Sequence, residues 1–366
     1  MQGAMSRLSS LLVPLVLLGA AAPPAPAPPP APAGIHILSD STLPQAFEWA
    51  TDVRWASDKS VYLGLSVDGT VEVGLDPAGS PPKEMIPGRS KPGGFWSSQR
   101  VAASSQYLAA AGPALVVTWR RLEDPTRVEV PFDTIQGIDV RDNRFAIVGA
   151  QRNEKGDFGA DGAIAWIGTL DKKLADLRPL LYDVRGLGVP TMNRCGAAPI
   201  GAVRFLPDGS LVVVPGVQPG VNLYDRSGKL VRTWDDAAIG IDTGWGTLTD
   251  EQALHIMGPA AARNDWLNRW RVVDSVLPLQ QGPGLVVRRA EKARTRWELK
   301  LLRFDGSVQS FQIPVEGETE FFHLGGDVRR GKIVFLLRET VFRGGGKDHP
   351  ALPRLILADP PGGLEK

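Results

Sequence analysis

The sequence predicts an all-β chain folded as a six-bladed β-propeller, closed by an N-terminal strand and carrying a short helical insertion between the fourth and fifth blades. Three observations predict it. A phrase of short apolar runs returns six times, the runs are too short for helices and rich in β-branched residues, and glycine-bearing turns fall between them. A four-stranded sheet of this size cannot cover both of its faces alone, so the copies must pack on one another.

Each copy opens on a first strand centred on a valine, namely Val53, Val101, Val140, Val203, Val276 and Val328. Their average spacing exceeds the roughly 40–50 residues of tightly built propeller repeats, which implies elaborated loops. Second strands are read at 61–63, 107–109, 145–148, 211–214, 285–287 and 333–337, and third strands at 71–73, 115–119, 163–167, 221–224, 297–301 and 354–357. Asp68-Gly69, Asp208-Gly209, Ser227-Gly228 and Asp305-Gly306 supply the positive backbone angles that tight hairpins need. Fourth strands follow at 83–86, 127–130, 180–182, 230–234 and 308–313. The sixth copy has none, whereas residues 35–38 form an orphan strand ahead of the first copy. That strand is expected to pair with 354–357, close the ring and remove an exposed edge. A seventh, degenerate copy in the long interval between the fourth and fifth is the competing count.

Residues 1–22 read as an export signal: Arg7 ends a short basic segment, Leu8 to Leu18 form an apolar stretch, and Gly19-Ala20-Ala21-Ala22 offers small residues for cleavage. The expected location is periplasmic or extracellular, with an uncleaved membrane anchor as the alternative. Residues 23–34 form a proline- and alanine-rich linker expected to be extended and semi-rigid, and residues 35–366 form the propeller domain. With 43% hydrophobic residues among 366 the chain can bury a sizeable core, and 41 basic against 40 acidic side chains argue against a nucleic-acid partner. Cys195 is the sole cysteine, so no intrachain disulfide can form.

Phe205-Leu206-Pro207-Asp208-Gly209-Ser210-Leu211-Val212-Val213-Val214, followed by Val221-Asn222-Leu223-Tyr224-Asp225-Arg226-Ser227-Gly228-Lys229-Leu230-Val231-Arg232-Thr233-Trp234, resembles one blade of the NHL-type six-bladed propellers. The resemblance implies an exported bacterial binding scaffold more readily than an enzyme.

The triplet Asp-Val-Arg occurs at 52–54, 139–141 and 327–329, and Ala202-Val203-Arg204 preserves two of its members. Equivalent positions on first strands sit near the axis, so Arg54, Arg141, Arg204 and Arg329 are expected to gather at one level. There they either hold a carboxylate or phosphate or pair with aspartates and fasten the ring. Thr249 and Gln252 have capping-box spacing, and the helical insertion they begin carries His255, Trp266 and Trp270, with Trp245 nearby. These residues are candidates for an aromatic lid over the channel. The loop before the fourth copy contributes Asn193 and Arg194 as a candidate wall.

The four histidines are scattered, and no nucleophile elbow, phosphate-cradling loop or zinc-peptidase signature is present. The reading is therefore a monomeric exported scaffold that binds a protein, peptide or small polar ligand at one channel end, with no catalytic residue, metal or cofactor. Two alternatives stand beside it. One is a metal-dependent hydrolase or lyase similar to propeller lactonases, which would need Asn193, Asp139 and Asp327 to converge. The other is a structural module of the cell envelope.

Overall fold

The computed structural model describes residues 34–364, apart from 67–68, 77–78, 80, 89–99, 113–114, 120–125, 129–131, 152–162, 171–173, 183–200, 216–219, 242–250, 252–271, 292–293, 319–321, 340–350 and 363. These residues form six antiparallel four-stranded sheets. An N-terminal strand, β1 (His36–Thr42), precedes sheet one, which comprises β2 (Ala50–Ser57), β3 (Ser60–Leu65), β4 (Gly69–Gly74) and β5 (Lys83–Pro87). Sheet two holds β6 (Arg100–Ala103), β7 (Tyr107–Ala111), β8 (Leu115–Trp119) and β9 (Thr126–Val128). Sheet three holds β10 (Phe132–Arg141), β11 (Arg144–Gln151), β12 (Ala163–Leu170) and β13 (Leu174–Tyr182). Sheet four holds β14 (Ala202–Phe205), β15 (Leu211–Val214), β16 (Val221–Tyr224) and β17 (Leu230–Trp234). Sheet five holds β18 (Val272–Leu279), β19 (Gly282–Glu291), β20 (Arg294–Leu302) and β21 (Val308–Gly317). Sheet six runs β22 (Phe322–Arg329), β23 (Lys332–Glu339), β24 (Arg354–Asp359) and then β1.

The pairing of β1 with β24 is antiparallel, with Ser39 opposite Leu357 and Thr42 opposite Arg354. The Arg354 guanidinium reaches back to the Asp40 carboxylate, a charge pair that clips the two strands together. The first segment of the domain thus supplies the outer strand of its last sheet, as the orphan strand in the sequence predicts. Truncation of residues 1–42 would leave β24 with an unpaired edge, which is a template for pairing with another chain. The truncated chain is expected to elute as larger species in size-exclusion chromatography; one that stays monomeric with an unchanged melting temperature would overturn this account of closure.

The first strands touch one another in the cycle β2, β6, β10, β14, β18, β22 and back to β2. Between every consecutive pair of sheets lies one apolar cluster. Tyr62 and Ile86 of sheet one meet Val101 and Leu108 of sheet two. Tyr107 meets Ile138, Phe145 and Trp166 at the next junction, and Ile167 meets Phe205 and Leu211 at the third. Val214 and Leu223 meet Leu285 and Val287, Leu277 and Trp297 meet Leu324 and Phe335, and Val334 and Leu336 meet Val53 and Leu63. Because each sheet alternates its side chains between two faces, both faces of every sheet are consumed by neighbours. This cyclic layering around an axis is a β-propeller.

Two glycines set how closely the first strands approach. A Cβ on Gly201 would lie 2.7 Å from the Val148 side chain, and one on Gly137 would lie 3.1 Å from the Ala202 Cα. Residues with side chains there would push β14 away from sheet three, so glycine is required by the approach and not by backbone angle. Between sheets four and five the described residues include the single helical turn α1 (Asp236–Ile239) and the helical Glu251; Thr249, Gln252 and His255 of the predicted insertion lie outside them.

Candidate functional site

First strands run along the axis, so a side chain's depth in the channel follows from its distance, in paired residues, from the hairpin that joins its strand to the next. Arg54 pairs with Tyr62, Asp139 with Ala146, Arg204 with Val212 and Asp327 with Val334. Each of these partners lies two residues beyond the pair that closes its hairpin, so basic and acidic side chains share one depth. Arg141 and Arg329 stand in the closing pairs themselves, opposite Arg144 and Lys332. The expectation of four arginines at one level is therefore corrected to two. Its cause is register: Asp52 pairs with Gly64, two residues deeper than Asp139 and Asp327 stand on their strands, and β2 carries a bulge between Trp55 and Ser57. The three triplets are alike in sequence but not in position.

The aspartates fasten neighbouring sheets. Asp52 Oδ2 accepts the Val101 N–H at 2.9 Å, Asp139 Oδ2 the Phe205 N–H at 2.7 Å, Asp274 Oδ2 the Leu324 N–H at 3.1 Å and Asp327 Oδ2 the Trp55 N–H at 2.9 Å. In every case the donor belongs to the first strand of the following sheet. Arginines add to the same seams. Arg100 Nε donates to the Gln136 carbonyl at 2.6 Å, Arg338 Nε to the Thr51 carbonyl at 3.0 Å, and Arg141 to the carbonyls of Leu206 and Pro207. Arg329 Nε donates to Asp58 Oδ1 at 2.8 Å at the exposed rim, and that bond, with the charge of Arg330, holds the Asp58 carboxyl below its ordinary value.

At the shared depth Arg204 bridges the axis. Its Nη1 lies 3.4 Å from Asp139 Oδ1 and its Nη2 bonds Asp327 Oδ1, with all three side chains buried. Burial opposes the Arg204 charge, but Asp327, Asp139 and Asp52 together outweigh it and raise its pKa. For Asp139 burial is the largest influence and pushes the carboxyl up against the pull of Arg204 and Arg54. Arg54 is turned to its own strand, with Nη1 2.8 Å from Asp52 Oδ1 and 2.7 Å from the Val53 carbonyl. Asp139 and Asp327 do converge, as the metal-dependent alternative requires, but on a guanidinium. Among the described residues no group of three or more histidine, cysteine or acidic side chains is placed to hold a metal ion.

This charged layer divides the channel. On the hairpin side lies a cavity of about 330 Å³ lined by Trp55, Ser104, Asp139, Arg141, Asp327 and Arg329 among others. On the other side lies a smaller chamber of about 60 Å³ to which all six sheets contribute, including Asp52 and Arg54, Arg100, Gln136, Arg204, Asp274 and His323. Five side-chain atoms of these lining residues are shielded from solvent and make no hydrogen bond, namely Arg54 Nε, Gln136 Nε2, Arg204 Nε, His323 Nδ1 and Asp274 Oδ1, the last being ion-paired with Arg288. Burial keeps the His323 imidazole neutral, well below its ordinary value, and the facing guanidiniums of Arg338, Arg100 and Arg288 act in the same direction. Burial also raises the Asp274 carboxyl, against Arg288, whose Nε stands 3.6 Å from Oδ1.

Of the residues singled out in the sequence, Arg54 and Arg204 face this chamber, and Arg141 and Arg329 line the hairpin-side cavity. Asn193, Arg194, Trp245, His255, Trp266 and Trp270 lie outside the described residues. Sequence reasoning missed Arg100, Gln136, Asp274 and Arg338. For Gln136 the available signal was a second polar residue, beside Asp139, in the otherwise apolar run from Ile135 to Val140.

No protein-family model matches the chain, and no curated protein matches it. Solved structures are similar at low identity. Virginiamycin B lyase from Staphylococcus aureus is 10% identical, with 88% of this chain and 98% of that chain covered and a TM-score of 0.43. Regucalcin, a calcium-binding protein from Agrobacterium tumefaciens, is 12% identical, with coverage of 90% and 95% and a TM-score of 0.46. YCF48 from Cyanidioschyzon merolae is 8% identical, with coverage of 88% and 98% and a TM-score of 0.44.

Proposed function

We propose that the chain is an exported, monomeric six-bladed propeller of NHL-like type, each four-stranded sheet being one blade, that binds a small polar ligand in its central channel without covalent chemistry. The observation that carries this reading is the chamber on the side away from the inner hairpins. Buried polar atoms are normally hydrogen-bonded, and leaving one bare costs about 1–3 kcal/mol. Five such atoms belong to side chains that line one chamber walled by every sheet. A ligand or ordered water toward which these side chains turn would recover that cost, whereas fastening alone does not require them: the carboxylate and guanidinium groups that tie sheet to sheet do so through other atoms. The six-blade count is supported by the six inter-sheet clusters and by the direct contact of β14 with β18, which leaves no place between sheets four and five for a seventh sheet. Export is supported by the N-terminal pattern of residues 1–22.

The test is a thermal-shift screen of the purified protein against small polar compounds, followed by calorimetry on any that stabilise it. A saturable rise in melting temperature that Arg54→Met diminishes is the expected result. The reading fails if no compound stabilises the protein saturably, or if stabilisation is indifferent to channel substitutions. Cell fractionation with N-terminal sequencing of the mature chain tests export, with processing near Ala22 expected.

A further inference from the structure

The cavity on the hairpin side of the axial charged layer has the size of a ligand pocket: its volume of about 330 Å³ falls within the roughly 300–1,000 Å³ of sites that hold small molecules. The inner hairpins that frame its mouth, at 57–60, 103–107, 141–144, 205–211, 279–282 and 329–332, all lie within the described residues. Ser105 in its lining is exposed, so the cavity opens to solvent. Its charges are sorted by depth. Asp139 and Asp327 line this cavity and not the smaller chamber, so the little exposure their side chains keep, 7% and 11%, is turned toward it. At this floor two carboxylates share one guanidinium, that of Arg204, while Arg54 is taken by Asp52. One buried negative charge is therefore left without a full counter-charge, which is costly. Asp327 Oδ1 has the closer contact with Arg204. Asp139 Oδ1 has only Nη1 at 3.4 Å, longer than the about 2.7–2.9 Å of a charge-assisted hydrogen bond, and keeps room for another donor. Burial pushes the Asp139 carboxyl up despite Arg204 and Arg54, in keeping with a charge only partly met.

At the mouth the sign reverses. Arg141 stands two residues nearer the hairpin than Asp139 on the same strand, and its guanidinium donates to the Leu206 and Pro207 carbonyls. Among the described residues it forms no ion pair with a carboxylate. Arg329 and Arg330 share the single carboxylate of Asp58. Between floor and mouth the wall is largely apolar, with Trp55, Phe205, Pro278 and Val328. Two residues of extended strand set the floor and the mouth about 7 Å apart along the axis.

We propose that this cavity binds a small zwitterion whose charges are held apart by an aliphatic spacer, the class of the ω-amino acids, with its ammonium on Asp139 at the floor and its carboxylate toward Arg141 at the mouth. An amine alone would leave the basic mouth unmatched, and a carboxylate alone would meet the acidic floor. The site is separate from the chamber on which the proposed function rests.

The experiment is titration calorimetry and thermal shift on the purified protein with γ-aminobutyrate, δ-aminovalerate and ε-aminocaproate. Butylamine and butyrate serve as single-charge probes, and glycine as a zwitterion without a spacer. At least one ω-amino acid is expected to bind saturably, with the single-charge probes and glycine weaker by about tenfold or more, the loss of one charge-assisted contact. Asp139→Asn, whose amide oxygen can still accept the Phe205 N–H, is expected to weaken binding by about tenfold or more. Arg141→Gln is expected to weaken the ω-amino acid and to leave butylamine unchanged, because only the carboxylate contact is lost. Should either variant fail to fold, Ala103→Leu fills the cavity from its wall and is expected to abolish binding. The proposal is overturned if no ω-amino acid binds, if butylamine or butyrate matches it, or if the cavity variants bind as the parent does. Arg54→Met keeps this site distinguishable from the smaller chamber: ω-amino acid binding is expected to survive it. Binding lost in Arg54→Met but kept in Asp139→Asn would move the ligand to that chamber and overturn the proposal while leaving the proposed function standing.

Discussion

Asp327→Ala is expected to destabilise the protein by about 3–5 kcal/mol, the range for breaking a buried ion pair from one side. The carboxylate performs two tasks with two different oxygens. Oδ2 accepts the Trp55 N–H and so ties sheet six to sheet one, the seam at which the ring closes, while Oδ1 neutralises Arg204 across the axis. Removing it leaves a buried guanidinium with one distant partner, Asp139 Oδ1 at 3.4 Å, and strands a main-chain donor at the seam. Arg204→Met in the same chain should recover much of the loss, because an apolar group needs no counter-charge, and the double-mutant cycle in denaturant unfolding measures the coupling. An exposed ion pair on the same seam provides the contrast. Asp58→Asn is expected to leave unfolding nearly unchanged at physiological salt, since Arg329, Arg330 and Asp58 meet in solvent where such pairs are screened. An Asp327→Ala loss no larger than that of Asp58→Asn would show that the axial layer does not hold the ring.

The architecture was legible because its causes are local and repeated. Each valine chosen as an anchor lies in a first strand, Leu230–Trp234 was read to its observed limits, and Gly69, Gly209, Gly228 and Gly306 all adopt the positive φ expected of their turns. In three of those turns an aspartate side chain also caps the loop, as where Asp225 Oδ1 accepts the Ser227 N–H at 2.8 Å and the Lys229 N–H at 3.0 Å. Strand ends were less legible: β13 begins at Leu174 and β21 runs on to Gly317, although Leu174 and Val315 still pack against the clusters between sheets. The site was legible only in part. Arg54 and Arg204 were found through a sequence triplet, yet the triplet misplaced Arg141 and Arg329, since the hairpin follows the triplet at once in β10 and β22 but only at Ser57 in β2, where a bulge absorbs one of the intervening residues. A register shift of two residues leaves the inward-outward alternation intact and so leaves no mark on hydrophobic pattern. Asp274 and Gln136 belong to no triplet, and their importance arises from what six strands bring together around one axis.

Trp297→Ala is expected to cost about 3–5 kcal/mol, the range for deleting a large buried aromatic side chain. The residue is 1% exposed and fills the cluster between sheets five and six beside Leu277, Leu324 and Phe335. It also has a polar function, because its Nε1–H donates to Asp274 Oδ2 at 2.7 Å. Trp297→Phe separates the two contributions: most of the ring packing remains, but the carboxylate keeps only the Leu324 N–H on that oxygen, with an expected cost of about 1–3 kcal/mol. The pH dependence of the phenylalanine variant has a definite sign. Burial already raises the Asp274 carboxyl above its ordinary value, so the folded state binds its proton more tightly than the unfolded chain does. Stability from this group is then fully present below the unfolded pKa and declines as pH rises through the folded one. Losing the Trp297 donor raises the folded pKa further and carries the decline to higher pH, so the penalty of Trp297→Phe should grow as pH rises above the ordinary carboxylate range. Urea unfolding of parent and variant across that window measures it, and a penalty independent of pH would mean that Trp297 supports sheet packing alone and does not tune the carboxyl that faces the chamber.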